Sequence, residues 1–395
     1  MLEGVTVALG VTGSIAAVKT VELAHELRRH GAIVRAVMSP SATGIIHPWA
    51  VEFATEHDVI TEITGRVEHV ELCGCEGWAD VFCIAPATAN TVGKIAGAVD
   101  DTPVTTTATT ALGAGVPVVI APAMHEPMYD HPGVLDAIAR VEEWGVDFVD
   151  PRLEEGKAKI ATEKAIVTAL ARATTPQDLA GTHIVVTSGA TSESIDPIRV
   201  LTNRASGSTG RAVARACNVR GAEVTLVHDG PEVDYAETIP VESAAEMLAA
   251  VEGRVPEADA LISAAAISDY TIETEDTKLR SGEPRTLELE PTPKLLDSIR
   301  QAHPELPMVG FKAETTGDDD AMVDRAAGLR DRVNLAFVVA NDTSVMGASE
   351  TRALLVDSET DTPADCETVE GSKQELGNRV ARRLSGVLSE PTTPA

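Results

Sequence analysis

The stretch VTVALGVTGSIAAVKTVELAHELRRHGAIVRAVM, residues 5–38, decides the fold. It begins with an apolar run, Val5–Val11, that is typical of a buried strand and is broken at Thr12-Gly13-Ser14. From Ile15 to His30 apolar residues recur at helical spacing, and Gly31 ends the helix. A second strand is predicted at Ile33–Met38. Strand, helix and strand in this order indicate a βαβ unit and a parallel sheet.

The same alternation continues along the chain. Further strands are predicted at Val81–Ala85 and Val116–Ala121, and the pattern restarts at His183–Ser188. There a turn at 207–210 opens a helix to Arg220, and a strand follows at 222–227. The stretch 173–178, ATTPQD, is interpreted as a linker, which places a domain boundary near residue 175. We expect an α/β protein with two doubly wound domains and mainly parallel sheets.

Composition limits the classes of function. With 395 residues, 44% of them hydrophobic, the chain is long enough for two or three folded domains. The net charge of −29 repels phosphate backbones, so nucleic-acid binding is disfavoured. Only nine of the 32 basic residues are lysines, and this balance favours a halophilic protein in a high-salt cytoplasm over an ordinary acidic one. No apolar run approaches the roughly 20 residues of a membrane span, so we expect a soluble, cytoplasmic protein.

The turn after the first strand has a weak ligand signal. Residues 10–17, GVTGSIAA, lack the glycine and lysine spacings of a dinucleotide fingerprint or a Walker A loop. They still place small residues at a helix N-terminus, where free N–H groups and the helix dipole favour a phosphate or a flavin edge. An ordinary tight strand–helix turn explains the same residues equally well.

Two longer motifs are more specific. They are 85–91, APATANT, and 122–129, PAMHEPMY, and with 13–17 and His69 they follow in order along the first half. In these motifs residues 4–160 resemble the flavin-dependent cysteine decarboxylases, in particular the phosphopantothenoylcysteine decarboxylases of coenzyme A synthesis. The resemblance implies a flavodoxin-like flavoprotein domain. It also implies that FMN is bound by Gly13, Ser14, Ser39, Ala85, Pro86, Thr88, Asn90 and Met124.

The resemblance also implies a mechanism. In that family FMN takes hydride from the cysteine carbon that bears sulfur, and the resulting thioaldehyde loses carbon dioxide. The cofactor carries this step because side chains cannot accept the electron pair. The resemblance assigns His69 as the catalytic base, and imidazole suits that role near neutral pH. Taken alone, His69 would be interpreted as a surface histidine.

The first half departs from the family pattern at two places. His125 stands where the family has an asparagine that holds the substrate carboxylate, and a ring N–H could do the same. The flap at 151–159, PRLEEGKAK, lacks the cysteine that protonates the enethiolate product in bacterial members. Water, a flap lysine, His125 or another cysteine of the chain, with Cys73 and Cys75 the first candidates, remain as the proton donor.

The cysteines allow a second interpretation. His69, Cys73, Cys75 and Cys83 could form a zinc site, but Cys-x-Cys is not the usual spacing and no second ligand pair follows. Buried, inert thiols are therefore favoured. Five cysteines in a long chain do not indicate a disulfide framework, and no metal ligand is assigned.

The second half carries six further blocks. They are TSGAT at 187–191, DPIR at 196–199, TNRASG at 202–207, AAAISDY at 264–270, GFKAET at 310–315 and AND at 340–342. These blocks resemble the phosphopantothenate–cysteine ligases, which implies a Rossmann-like domain that uses CTP and Mg²⁺ to form an acyl-nucleotide.

The ligase resemblance assigns roles to individual residues. Asn203 would stabilise the acyl-nucleotide, Arg199 would support the phosphopantothenate end, and Lys278 would contact the triphosphate. The remaining substrate and nucleotide positions are Ser263, Ala264, Ala265, Asp269, Pro293 and Phe311. Each alone has an ordinary explanation, such as a surface ion pair for Arg199 or a core position for Phe311.

One feature leaves the nucleotide open. Bacterial ligases carry two lysines on a later helix, and the aligned residues here are Leu329 and Val333, with Arg330 and Arg332 beside them. Arginine can clamp phosphate in a bidentate manner, so ATP remains an alternative to CTP.

The two resemblances together predict one bifunctional enzyme. Residues 1–175 would be an FMN-dependent decarboxylase, 182–388 a ligase for 4′-phosphopantothenate and cysteine, and 389–395 a disordered tail. The resemblance implies trimeric decarboxylase domains and dimeric ligase domains. The alternative is a flavin-binding regulatory protein with an inactive decarboxylase domain and an active ligase domain.

Overall fold

The computed structural model describes residues 1–280, 282, 284–314, 318–342, 350–358, 360 and 362–389. The chain divides into two compact units, Met1–Pro176 and Gln177–Ala395. Of the tail that was predicted to be disordered, only Ser389 belongs to the described residues, where it ends a helix; 390–395 lie outside them.

The N-terminal unit is built on a five-stranded parallel sheet in the order β2-β1-β3-β4-β6. A small antiparallel sheet, β5-β8-β7, forms beside it. The strands are β1 (Thr6–Val11), β2 (Ile33–Met38), β3 (Val81–Ala87), β4 (Val118–Pro122), β5 (Met124–His125), β6 (Val146–Phe148), β7 (Arg152–Glu154) and β8 (Lys157–Lys159).

Helices cover both faces of this sheet, as in a flavodoxin-like fold. They are a 3-10 helix (Ile15–Lys19), α1 (Thr20–Arg29), α2 (Pro40–Thr43), α3 (Pro48–Thr55), α4 (Glu68–Cys73), α5 (Ala89–Ala96), α6 (Pro103–Ala114), α7 (Glu126–Tyr129), α8 (Pro132–Glu142) and α9 (Glu163–Thr174).

The single helix predicted from Ile15 to His30 is in fact two segments. Ser14 accepts a hydrogen bond from Ala16 N and opens a 3-10 turn, and the α-helix begins only at Thr20. The central strand of this sheet was predictable because it is buried. Every residue of β3 is buried, and a continuous apolar run of this kind is typical of a central parallel strand. All the strands of this sheet end at the same edge, which brings their following loops together.

The C-terminal unit has an eight-stranded sheet in the order β13-β12-β9-β14-β17-β18-β19-β20. It is parallel from β13 to β18, and β19 and β20 are antiparallel additions. The strands, with those of two small hairpins, are β9 (His183–Ser188), β10 (Ser192–Ser194), β11 (Val200–Thr202), β12 (Glu223–His228), β13 (Glu237–Pro240), β14 (Ala260–Ser263), β15 (Tyr270–Ile272), β16 (Leu289–Pro291), β17 (Met308–Glu314), β18 (Phe337–Asp342), β19 (Glu350–Val356) and β20 (Glu367–Ser372).

The strand order of the six parallel strands is that of a Rossmann sheet, with the change of direction between β9 and β14. Apolar clusters lie on both faces of the sheet. The helices are α10 (Ser208–Val219), α11 (Ala244–Arg254), a 3-10 helix (Val255–Glu257), α12 (Leu295–Ala302), α13 (Asp319–Val333) and α14 (Lys373–Ser389). A ligand crevice is expected at the carboxyl ends of β9 and β14.

The predicted linker is shorter than the sequence indicates. Ala173 and Thr174 are the last residues of α9, so the helix runs into the stretch. At its other end Gln177 Nε2 donates to Val219 O at 3.0 Å, and Asp178 pairs with Arg220. Small and polar residues made the stretch look like a loop, but helix propensity and these bonds order most of it. Among the described residues, no helix is long and apolar enough to span a membrane.

Two candidate active sites

Thr12 links the first and third strands of the N-terminal sheet at their carboxyl ends. Its Oγ1 donates a hydrogen bond to Pro86 O at 2.8 Å and accepts one from Thr88 N at 3.1 Å. The Ala85–Pro86 peptide bond, within β3, is cis. Thr88 then caps α5, with Oγ1 accepting from Thr91 N at 3.2 Å. The bonds join two of the sequence motifs, 10–17 and 85–91.

Ser14 joins the same cluster to the fourth strand. Its Oγ donates to Ala123 O at 3.0 Å, next to Met124. Ser39, after β2, lies 3.1 Å from Ser41 Oγ, and a Cβ on Gly13 would stand only 2.4 Å from that same Ser41 atom. Glycine is therefore required at position 13 for the first two loops to approach.

The residues predicted to bind FMN thus lie on one edge of one sheet. Gly13, Ser14, Ser39 and Thr88 lie in loops that are packed or hydrogen-bonded together. Ala85 and Pro86 are buried near the end of β3, Asn90 is exposed in the first turn of α5, and Met124 is half-buried in β5. Next to Ser14 the apolar Ile15 is 78% exposed. Hydroxyl and amide donors beside an uncovered apolar surface fit a flat ring with a polar edge and a phosphate.

His69 lies in the first turn of α4 and is half-buried. Its Nδ1 is buried and has no hydrogen-bond partner among the described residues, so Nε2 is the ring nitrogen left to a substrate. A buried, unpartnered ring nitrogen is costly and therefore notable. Within the described part of the chain, hydrogen bonds do not tie His69 to the loop cluster.

His125 lies directly opposite a flap lysine. In the ladder between β5 and β8 it faces Lys157, and Met124 faces Ala158. Both His125 and Lys157 are exposed. The other flap lysine, Lys159, contacts Glu154 and Glu155 at 3.0 Å each, and these bonds raise its pKa.

The five cysteines differ in burial, and Cys366 is half-buried, which raises the pKa of its thiol. Cys73, Cys83 and Cys217 are buried, and burial raises the pKa of each thiol to about 12, as expected for inert thiols. Cys75 is exposed, so the expectation of burial was wrong for it, because it follows Gly74 beyond the end of α4. The described residues include no group of three or more histidine, cysteine or acidic side chains placed to hold a metal.

In the C-terminal unit the carboxyl ends of β9 and β14 meet. Thr187 accepts hydrogen bonds from Ala264 N at 3.2 Å, through its carbonyl, and from Ala265 N at 3.2 Å, through Oγ1. Asn203 Nδ2 donates to Ala266 O at 3.0 Å. The predicted residues 263–265 and Asn203 are thus brought together at the change of strand direction.

Asp269 and Pro293 come together at the next loop. Thr292 N donates to Asp269 O at 3.0 Å, and Asp269 forms an ion pair with Lys294. Sequence reasoning missed Lys294, although its position just before α12 in a Pro-Thr-Pro-Lys turn was visible. Phe311, in β17, is partly buried against the core, which agrees with the ordinary explanation offered for it. Thr315 of the GFKAET block lies outside the described residues.

The arginines beside Leu329 and Val333 are not placed to clamp phosphate at this crevice. They lie in the last turn of α13, which leads back to the amino end of β18, where Ala336 N bonds to Met308 O at 2.9 Å. Arg330 bonds to Asp357 O, and Arg332 pairs with Asp297. A helix between parallel strands ends at the edge of the sheet opposite the carboxyl ends of those strands, and the two arginines lie there.

The fold and these sites define a flavoprotein-like α/β unit followed by a Rossmann-like ligase unit. Residues 1–175 match the family model described as Flavoprotein, and 179–387 match that of the DNA/pantothenate metabolism flavoprotein C-terminal domain. The chain is 48% identical over 361 residues to the coenzyme A biosynthesis bifunctional protein CoaBC of Thermococcus kodakarensis, covering 90% of this chain and 89% of that protein. It is 35% identical over 368 residues to the protein of that name from Bacillus subtilis, covering 88% of each.

A solved structure of the FMN-dependent cysteine decarboxylase SpaF is 34% identical, with a TM-score of 0.40, over 44% of this chain and 100% of that one. On the family models and the two sequence relatives, the chain belongs to the family of coenzyme A biosynthesis bifunctional proteins. The predicted α/β fold and the predicted bifunctional enzyme, with decarboxylase and ligase activities, are confirmed.

Proposed function

We propose that the N-terminal unit holds FMN at the loop cluster after β1, β3 and β4 and decarboxylates a cysteine amide. The C-terminal unit makes that amide from 4′-phosphopantothenate and cysteine with a nucleoside triphosphate, CTP in the first place and ATP as the alternative. The product of the second unit is then the substrate of the first. The observation that carries the flavin assignment is the Thr12–Pro86–Thr88 and Ser14–Ala123 hydrogen bonding, which holds the segments after β1, β3 and β4 together as one cradle.

When bound, FMN would supply a two-electron oxidation of the cysteine side chain, which allows carbon dioxide to leave, and would return the two electrons to the decarboxylated product. Gly13, Ser14, Ser39 and Thr88 would hold its polar groups, and Ile15 would cover its ring. His69 would take the thiol proton on Nε2, because Nδ1 is enclosed.

The flap would hold the substrate. His125 and Lys157 present two donors side by side across the β5–β8 ladder, and a carboxylate placed between them would offset their like charges when His125 is protonated. Lys157 is then also the better-placed lysine for the final protonation, since Lys159 is engaged with two glutamates.

In the ligase crevice, Asn203 would donate to the oxygen that becomes negative on the acyl-nucleotide. Lys278, with Lys294 near Asp269, would contact the triphosphate, and Mg²⁺ would arrive with the phosphates. Arg199, whose side chain is 44% exposed, would support the 4′-phosphopantothenate end.

Assembly into trimers through the first unit and dimers through the second is part of the proposal. Exposed apolar side chains support it: Trp49 and Phe53 are each 76% exposed, and Ile198 in the second unit is 65% exposed. Light scattering of the purified chain tests it, and a monomer at micromolar concentration would exclude it. We place the protein in a high-salt cytoplasm because of its charge balance.

The test of the flavin assignment is the absorbance spectrum of purified protein, which should show flavin bands that denaturation releases as FMN. Ligation is tested by pyrophosphate release with CTP and with ATP. A colourless protein that binds no added FMN would refute the cradle. A flavin-bound protein that ligates but never releases carbon dioxide would favour the regulatory alternative.

A further inference from the structure

Two segments far apart in the sequence run side by side in the C-terminal unit. Thr274 Oγ1 donates a hydrogen bond to Ser194 O at 2.8 Å, and Glu275 N donates to Ile195 O at 3.0 Å. A few residues later, Leu279 N donates to an oxygen of the Asp196 carboxylate at 3.0 Å. The loop that carries Lys278 is therefore laid along residues 194–199.

Leu279 is held on both sides by side chains. Its N–H is taken by Asp196, and its carbonyl accepts from Nη1 and Nη2 of Arg199 at 3.1 Å each. Asp196 and Arg199 are themselves an ion pair. We call Asp196, Arg199 and Leu279 the loop clamp.

Asp196 has the environment of an anchor. It is 1% exposed, and its Oδ1 accepts hydrogen bonds from Ile198 N and Arg199 N at 2.8 Å each. A buried carboxylate is stable only when its acceptor positions are filled, so these donors and the Arg199 charge are needed where they are. Such a group is too fully occupied to bind substrate.

We infer that Asp196, acting through Arg199 and Leu279, is a positioning residue of the ligase site that fixes the loop presenting Lys278 to a nucleoside triphosphate. The inference rests on the proposed role of Lys278. Lys278 is exposed, while its neighbour Leu279 is clamped through both backbone groups. An anchored backbone leaves less chain entropy to be lost when the lysine binds phosphate.

Arg199 then serves two contacts at once. A guanidinium has five N–H donors, and only part of them face Asp196 and Leu279 O. Its exposed side remains open to an anion. Binding at Arg199 and binding at Lys278 are therefore joined through the backbone of one residue, Leu279.

Limited trypsin digestion of the full chain tests the clamp, because the Lys278–Leu279 bond is itself a trypsin site. Asp196→Asn should raise the rate of cleavage there by about tenfold or more, since a neutral amide cannot accept all the donors now facing the carboxylate. The cut is identified by mass spectrometry from the new N-terminus at Leu279. Asp276→Asn is the matched control: it removes the same charge from an exposed position in the same loop and should leave the rate unchanged.

Ligation kinetics supply the second readout. In Asp196→Asn the KM for the triphosphate should rise about tenfold while kcat falls little, because the loop can still reach the bound position at a cost. If Asp196→Asn does not fold, Arg199→Lys is used instead, since a single ammonium cannot make both contacts to Leu279 O, and the same rise in cleavage is expected.

Cleavage at Lys278–Leu279 that matches the unmodified protein would overturn the clamp. Raised cleavage with an unchanged KM for the triphosphate would overturn the positioning role. A failure of the proposed ligase function gives a different result from a failure of the clamp or of the positioning role. In that case the unmodified protein would show no ligation with CTP or ATP, whereas the rates of trypsin cleavage do not depend on activity.

Discussion

His69 is the single residue on which decarboxylation should depend. Replacing it by alanine removes the proton acceptor, so carbon dioxide release should fall by about 10²- to 10⁴-fold. Bound flavin should be retained, because the cradle bonds of Thr12 and Ser14 do not involve His69. The measurement is carbon dioxide release from the supplied amide, with flavin absorbance and ligation as controls. Release close to that of the unmodified protein would remove His69 from the mechanism.

Asn203 has the corresponding position in the ligase site. In Asn203→Asp the donor to Ala266 O and to the developing oxyanion is lost, and a second negative charge faces the acyl-nucleotide. Amide formation should fall by about 10²-fold or more, while pyrophosphate release persists or the acyl-nucleotide accumulates. Chromatography of the products of a single turnover distinguishes persisting pyrophosphate release from accumulation of the acyl-nucleotide. Amide formation at the normal rate would exclude the assignment.

The sequence was most informative for residues in short motifs. The resemblance assigned Ser14 and Thr88 to FMN binding, and in the structure both are helix caps, as hydroxyl residues at strand ends commonly are. Lys294 was missed because its partner Asp269 is 25 residues away, and only the fold brings them together. The exposure of Cys75 next to buried Cys73 depends on where α4 ends, which spacing alone did not show.

At the scale of elements, the flap formed by β7 and β8 is predicted to act through Lys157. Lys157→Gln should raise the KM of decarboxylation about tenfold by removing the cation opposite His125. Lys164→Gln, an exposed lysine in α9, is the matched control and should have no effect. If Lys157→Gln behaves like the control and Cys75→Ser stalls the reaction after carbon dioxide release, the exposed thiol is the donor instead.

Strands made mostly of buried residues were predicted best. Ile33–Met38 and His183–Ser188 have the expected bounds, because four residues of the first strand and five of the second are buried and leave a signal in the sequence. The 3-10 turn at Ile15–Lys19 and the extension of α9 to Thr174 were not predicted, since a serine cap decides the first and the small and polar residues of 173–178 look like a loop. Alignment alone did not show where Arg330 and Arg332 lie. The strand order places them, at the end of α13, at the edge of the sheet opposite the carboxyl ends of the parallel strands.

At the scale of the whole molecule, the net charge of −29 predicts a strong dependence on salt. Screening relieves repulsion among the acidic groups, so the unfolding midpoint should rise by about 10 °C or more between 0.1 M and molar KCl. Calorimetry measures it, and sucrose at equal osmolality, which does not screen charge, is the control. A midpoint that stays flat in KCl, or one that rises equally in sucrose, would exclude the high-salt interpretation.

The central claim is that one chain performs two consecutive reactions, with the product of the C-terminal unit consumed by the N-terminal unit. The most direct test supplies the purified, flavin-loaded protein with 4′-phosphopantothenate, cysteine and CTP, and counts pyrophosphate and carbon dioxide over time. The account predicts that both are formed, that carbon dioxide appears after a lag, and that their amounts approach one to one. Pyrophosphate and amide accumulating without carbon dioxide, or carbon dioxide released without prior pyrophosphate, would contradict it.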